Sequence, residues 1–259
     1  MYRLMPFNRR TAVVVAALSS LAVMPRIAAA QGACGVGEAT IHAGDARLAS
    51  LTPNPVDSMG MEMEQNGARR PFGTFSQHVE HATVDGQSAL LFVQRGSTPR
   101  GATLDSIWVD ARTWAPLRHV ATGPGNTFAV TFRGGRATGR RMQGDTMRAV
   151  SDAVPDGTLN FAVANTAIHA IPFCDGVVIR MAGYDPSTGQ MRDAVFHVLE
   201  AASLEIGGEV RDVWVAELTT GGRTGRLYVD RATGRELEFA IIGPGGATLR
   251  GTSAIFDAR

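Results

Sequence analysis

Short apolar runs, each closed by turn residues, constrain this sequence more than any other feature. "TFSQHVEHATV" meets "SALLFVQRG" across Asp85-Gly86-Gln87, and "LDSIWVD" meets "APLRHVAT" across residues 111–114. "NTFAVTF" meets "RATGRRMQG" across Arg133-Gly134-Gly135. Runs this short, with Gly or Asp at the junctions, specify hairpins, and a string of hairpins specifies an antiparallel meander. One junction occurs twice, 120 positions apart, as "WVDARTWAPL" (Trp108 to Leu117) and "YVDRATGREL" (Tyr228 to Leu237). In each, a strand ends in Val-Asp, the carboxylate accepts backbone N–H groups just beyond it, Thr reinforces the turn, and Leu resumes the next strand. "YDPSTGQM" places Asp185 and Thr188 at the same separation. Asp110, Asp185 and Asp230 therefore read as turn formers rather than catalytic carboxylates, since nothing gathers a partner around them.

"TLNFAVANTAIHAIPF" (Thr158 to Phe173) breaks the strand pattern. Phe161, Ala164, Ile168 and Ile171 recur at helical spacing after Pro155-Asp156-Gly157 and before Pro172, which predicts one amphipathic helix near 158–171. Strands then resume as "GVVIRMAGY", "AVFHVLEAASLEI", "VRDVWVAELTT", "RTGRLYVD" and "ELEFAIIG". In the last, strict alternation puts Leu237, Phe239 and Ile241 on one face and Glu238 on the other.

The first thirty residues have another character. "MYRLMPFNRR" holds three arginines and no acid, "TAVVVAALSSLAVM" is short and apolar, and Ala28-Ala29-Ala30 offers a small-residue cleavage site. This is the layout of an export signal, and the apolar stretch is shorter than the about 20 residues that a span requires. Gln31 stands three before Cys34, where a lipidation motif requires Leu or a similar residue. The expected organisation is a signal at 1–30, an N-terminal extension at 31–70 and a single β-rich domain at 71–259. Removing the signal leaves 21 arginines against 24 acids, a formal charge of −3, and the chain has no lysine. That balance has no polyanion-binding footprint, so nucleic acid is not an expected partner. In an exported chain, Cys34 and Cys174 are expected to pair, restricting the unfolded state by about 4–5 kcal/mol in the chain-entropy model. The alternative is two separate buried thiols.

The helix ending "AIPF", the "YDPSTGQ" hairpin and "DVWVAELTTGGRTGRLYVDRATGRELEF" with its closing strand resemble uncharacterised periplasmic relatives of the lipoprotein-carrier (LolA/LolB-like) half-barrel family. The likeness spans roughly residues 70–256. It implies an incompletely closed antiparallel β-barrel with helical plugging, whose apolar concave face receives an acyl chain or another greasy ligand. It carries over no catalytic residue. This chain departs from the carriers in showing one helix after the signal.

Chemistry-bearing clusters are sparse. His78, Glu80 and His81 in "QHVEH" form the best metal candidate, but on a strand 78 and 80 share a face while 81 points away. Arg133, Arg136, Arg140 and Arg141 surround Gly134-Gly135 and suit a hairpin with solvated charges better than a phosphate site. The chain has no P-loop lysine and no G-x-S-x-G elbow. Trp114 sits in a turn with little in the local sequence to bury it, which leaves a partner or membrane-surface contact open.

The fold expected is mainly β: an antiparallel, incompletely closed barrel with one amphipathic helix packed on its concave face. The function expected is an exported, non-enzymatic protein of the periplasm or cell envelope that binds a hydrophobic or acyl-bearing ligand, without cofactor or metal. Phe161, Ile168, Trp108, Trp214 and Phe239 are the expected cavity or gate residues, with a lipid or lipoprotein acyl chain as partner. A second reading is an assembly protein with a filled interior that docks an envelope protein through its sheet. A third is a hydrolase with a metal at His78, Glu80 and His81.

Overall fold

The computed structural model describes residues 37–53, 56–243 and 246–253. Its strands in chain order are β1 (Glu38–Ile41), β2 (Val56–Gln65), β3 (Ala68–Val84), β4 (Gln87–Thr98), β5 (Gly101–Asp110), β6 (Pro116–Thr122), β7 (Phe128–Arg133) and β8 (Arg136–Gln143). They continue as β9 (Thr146–Ala153), β10 (Leu159–Asn160), β11 (Val178–Asp185), β12 (Gln190–Ile206), β13 (Glu209–Thr220), β14 (Arg223–Asp230), β15 (Glu236–Ile242) and β16 (Thr248–Thr252). All join one sheet in the order β1-β11-β12-β13-β14-β15-β16-β2-β3-β4-β5-β6-β7-β8-β9, with β10 beside β11. Only β1 and β10 pair in parallel, both with β11. The sheet is not closed into a barrel, as the sequence suggested.

The segment read as an extension is corrected. β1 pairs with β11, and β2 lies between β16 and β3, so residues 38–41 and 56–65 are built into the sheet. Met and Glu in "MEMEQ" favour helix over strand intrinsically, and the flanking strands override that preference. The expected signal at 1–30 lies outside the described residues.

The repeated junction belongs to a larger repeat. β3 to β6 run 17, 12, 10 and 7 residues, and β12 to β15 run 17, 12, 8 and 7. The shared turn joins the third and fourth strands of each meander. Asp110 Oδ1 accepts from the N–H of Arg112 (3.0 Å) and Thr113 (2.6 Å) and from the Thr113 hydroxyl (2.7 Å). Asp230 Oδ1 accepts from Ala232 N–H (3.0 Å), Thr233 N–H (2.7 Å) and the Thr233 hydroxyl (2.9 Å). Each turn is followed by a one-residue bulge, at Leu117 and at Leu237. The third copy is looser: Asp185 Oδ1 accepts from the N–H and hydroxyl of Ser187, not from Thr188.

The fourth residue beyond the Asp has positive φ in all three turns: Trp114 at 59°, Gly189 at 74° and Gly234 at 69°. Glycine adopts that conformation freely and tryptophan does not. Trp114 holds it because its side chain is wholly buried and packs edge-on against Phe92 at 5.6 Å. The expected surface role for Trp114 is therefore corrected. Its neighbours come from another strand, where local sequence could not place them.

Topology puts the helical segment on the inner face. β9 and β11 lie toward opposite ends of the sheet, so the chain between them must cross it. The crossing is not the single helix expected over 158–171. It is a 3-10 turn at Phe161–Val163, α1 at Ala164–Ala167 and another 3-10 turn at Ile168–Ala170. Asn160 caps it, its Oδ1 accepting from Ala162 N–H at 3.0 Å, and Pro172 ends it. Val163, Ala167 and Ile168 are buried in a core shared with Phe92, Ile107, Ile179 and Phe196. Gly183 on β11 lets the crossing chain lie close, since a Cβ there would stand 2.9 Å from Phe161 Cα.

Side chains join the two ends of the sheet where backbone pairing does not. Arg141 on β8 donates to Asp152 on β9 (2.8 Å), to the Tyr184 hydroxyl on β11 (3.0 Å) and to the Pro186 carbonyl. Tyr184 also donates to Asp152 and packs edge-on against Phe132. His119 on β6 lies between Asp105 (3.3 Å) and Asn160 (3.1 Å), fastening the start of the crossing segment.

Candidate functional site

Beneath the crossing segment lies a cavity of about 660 Å³, walled by β2, β3, β4 and β13 to β15. Strand alternation supplies its apolar wall. On β13, Trp214 and Leu218 line the cavity while Val213 and Val215 turn to a second cluster with Leu204 and Ile206. Met59, Met61, Phe75, Leu227, Val229, Phe239 and Ile241 complete the wall from neighbouring strands, and Ile171 and Phe173 cover it. The volume falls within the about 300–1,000 Å³ of small-molecule sites.

Polar groups cluster mainly in two places. At the cover, Gln94 donates to Gln77 (2.8 Å) and to the Ala162 carbonyl (3.0 Å), and Gln77 reaches the Thr166 hydroxyl at 3.4 Å. These bonds tie the crossing segment to β3 and β4 through the cavity wall. His169 also lines the cavity, stacked on Phe173 at 5.4 Å, and burial lowers its pKa to about 4, so the ring is neutral at ordinary pH.

The second place is the end of the β14–β15 hairpin. Trp214, Val229 and Glu236 are paired across three adjacent strands, and all three line the cavity. The Arg231 guanidinium lies 4.6 Å from the centre of the Trp214 ring. Burial, reinforced by the nearby Asp57 carboxylate, pushes the Glu236 carboxyl up to about 8. Burial also raises Asp57, against the opposing pull of Arg235, whose guanidinium stands 3.4 Å away.

Glu236 reaches the cavity because of the bulge. Val229 pairs with Glu236 and Tyr228 with Glu238, which leaves Leu237 as the extra residue. Leu237 then packs with Tyr228 on the outer cluster, so the expectation that it shares a face with Phe239 and Ile241 is corrected. An extra residue reverses the inward-outward alternation on one side of the bulge. The signal available in the sequence was the repeated turn itself, which carries the same bulge at Leu117.

Of the residues expected at the site, Trp214 and Phe239 line the cavity. Ile168 is wholly buried in the core and anchors the crossing segment instead. Phe161 packs at the core margin beneath Arg192, 5.7 Å from its ring centre. Trp108 faces the other side of the sheet from its buried neighbours Ile107 and Val109, with Arg118 stacked on it at 5.3 Å. Cys174 is buried, and no described cysteine is free. Cys34 lies outside the described residues. His78 and Glu80 sit 3.4 Å apart on an exposed face, and no group of three His, Cys, Asp or Glu is placed to hold a metal among the described residues. The four arginines of the Gly134-Gly135 hairpin do not converge: Arg141 is in the seam, Arg136 bonds Ser151, and Arg133 and Arg140 are exposed.

A family model described as "Protein of unknown function (DUF3108)" matches residues 61–241. The chain belongs to this family. The DUF3108 span contains the crossing segment, both meanders and the Trp214–Val229–Glu236 row, while Met59 and Asp57 precede it. No curated protein matches the chain. The crystal structure of the hypothetical lipoprotein YmcC from Escherichia coli (K12) is similar at 13% identity, covering 78% of this chain and 88% of that one, with a TM-score of 0.27. A likeness that low carries no inference about fold or ligand.

The raised Glu236 carboxyl has a consequence for stability. In the folded DUF3108 chain this group holds its proton up to about pH 8, while an unfolded glutamate loses it near 4.5. Below 4.5 both states are protonated and the group is neutral to stability. As pH rises from there to about 8, the unfolded state is increasingly favoured. Urea unfolding of wild type and Glu236→Gln across this window is expected to show the variant gaining relative stability as pH rises. A constant difference would mean that Glu236 is ionised in the fold at neutral pH.

Proposed function

We propose that this chain is an exported cell-envelope protein that binds a hydrophobic or acyl-bearing ligand in the cavity beneath its crossing segment, and that its role is not catalytic. The cavity carries this reading: about 660 Å³, walled on one side by Met, Phe, Leu, Val and Ile side chains, and covered by the crossing segment, which the core anchors and Gln77 and Gln94 tie to the wall. An acyl chain entering it releases water from both surfaces, at about 0.8 kcal/mol per buried CH₂. The sequence resemblance to the lipoprotein carriers and the signal-like first thirty residues support the same reading and its periplasmic setting. The docking alternative expects a filled interior, which a cavity of this size disfavours. A Cys34–Cys174 bridge belongs to the proposal and would tie the chain's beginning to the end of the crossing segment.

Since Ile168 anchors the core, an Ile168→Asp variant is expected to unfold rather than report on a gate. A direct test is calorimetric titration with straight-chain amphiphiles of decreasing length. Each loss of two CH₂ groups is expected to weaken binding by about tenfold. Affinity independent of chain length, or no heat with any member of the series, would overturn the reading.

A further inference from the structure

The hairpin end of the cavity holds polar groups that the apolar wall does not require. Asp57 accepts from Ser58 N–H and from Arg235, and Asp230 is consumed by the turn it forms. Two groups remain uncommitted. Arg231 lies on Trp214 with no acidic partner among the described residues, and the Glu236 carboxyl has no hydrogen-bond partner among them. The bulge at Leu237 aims Glu236 at the cavity one strand from Val229 and two from Trp214. Burial pushes the Glu236 carboxyl up to about 8, which favours its protonated, donating form, and Arg231 is a donor throughout. A chamber with one apolar wall and two uncommitted polar groups at its hairpin end suits an amphiphile whose head is an acceptor.

Building on the ligand-binding reading, we propose that the Trp214–Val229–Glu236 row with Arg231 is a head-group site for a single-chain anionic amphiphile, whose carboxylate or phosphate oxygens accept from Arg231 and from the Glu236 carboxyl. Arg231 supplies a planar fork suited to either oxyanion, and the Trp214 face holds that fork in place. Glu236 adds a neutral donor, so the head meets no new negative charge at neutral pH. Asp57 from β2 is the charged group that acts on Glu236; Asp230 and Arg231 from the hairpin end and His169 from the crossing segment line the cavity with it, and Arg235 pairs with Asp57 behind it. When Glu236 ionises above about pH 8 it becomes an acceptor beside Asp57, and binding of an anionic head weakens.

The test compares dodecanoate, dodecyl phosphate, dodecanol and dodecylamine, each below its micellar concentration, on delipidated wild type, Arg231→Gln and Glu236→Gln. At neutral pH the anions are expected to bind about tenfold or more tightly than the alcohol, as charge-assisted hydrogen bonds would give. Arg231→Gln is expected to erase that preference, weakening the two anions about tenfold or more and dodecanol much less. Raising the pH to about 9 is expected to weaken anion binding to wild type but not to Glu236→Gln. The tighter of the two anions identifies carboxylate or phosphate as the head. Equal binding of all four compounds would overturn the head site and leave the cavity standing, and so would tighter binding of the amine. Binding of none would overturn both.

Discussion

Replacing Trp114 with alanine is expected to destabilise the fold by about 3–5 kcal/mol, the range for deleting a fully buried large aromatic. Two effects oppose each other at this position. Holding a non-glycine residue at φ 59° costs about 1–2 kcal/mol, and the equivalent position in the second meander is Gly234. Burial of the indole against Phe92 outweighs that cost, even though its Nε1–H has no partner among the described residues. Trp114→Gly removes the same contacts but relieves the backbone, so it should be less damaging than Trp114→Ala by about 1 kcal/mol. Urea midpoints for the two variants decide this. Equal stabilities would mean that the backbone conformation at 114 carries no strain, and a near-neutral Trp114→Ala would mean that the indole is not a core residue.

Arg141→Met is expected to cost about 3 kcal/mol, the low end of the range for breaking a buried ion pair, because Asp152 retains 31% side-chain exposure while Arg141 has 7%. Burial pushes the Asp152 carboxyl up, yet the Tyr184 hydroxyl and Arg141 together hold it below its usual range. That contribution is present above the ordinary carboxylate pKa and is lost as pH falls through the lowered one. Tyr184→Phe removes one hydrogen bond and should cost about 1 kcal/mol. Hydrogen exchange locates the effect: protection should fall first along β8, β9 and β11, the strands that Arg141 fastens. Uniform loss across the sheet would mean that Arg141 supports the core generally rather than the seam between its ends.

The hairpins were legible because Gly and Asp fix turn geometry locally. Asp85 and Gly86, at φ 50° and 81°, form the two-residue turn that their sequence specifies. β2 carried the same kind of signal unread: Asn66-Gly67, at φ 53° and 75°, forms the two-residue turn into β3. β1 has no such signature and is a strand because β11 pairs with it. The crossing helix was legible as an apolar stripe but not as a broken 3-10 and α segment, because spacing alone does not fix the hydrogen-bond pattern. At the site, Trp214 and Phe239 stand on the cavity side of their strands. Trp108 lay on a strand whose inner face went to Ile107 and Val109, and nothing local decides which parity faces inward. Glu236 required the bulge, and a one-residue register change is invisible to any strict period of two.

The most direct measurement is native mass spectrometry of residues 31–259 purified from an exporting host, with solvent extraction of whatever accompanies the chain. A near-stoichiometric mass above the polypeptide, extracted as an acyl-bearing amphiphile, is the expected result. The polypeptide itself should be two hydrogens light if Cys34 and Cys174 are bridged. A bare polypeptide that also fails to take up any of the dodecyl compounds would contradict ligand binding and leave the sheet as a docking surface for an envelope protein.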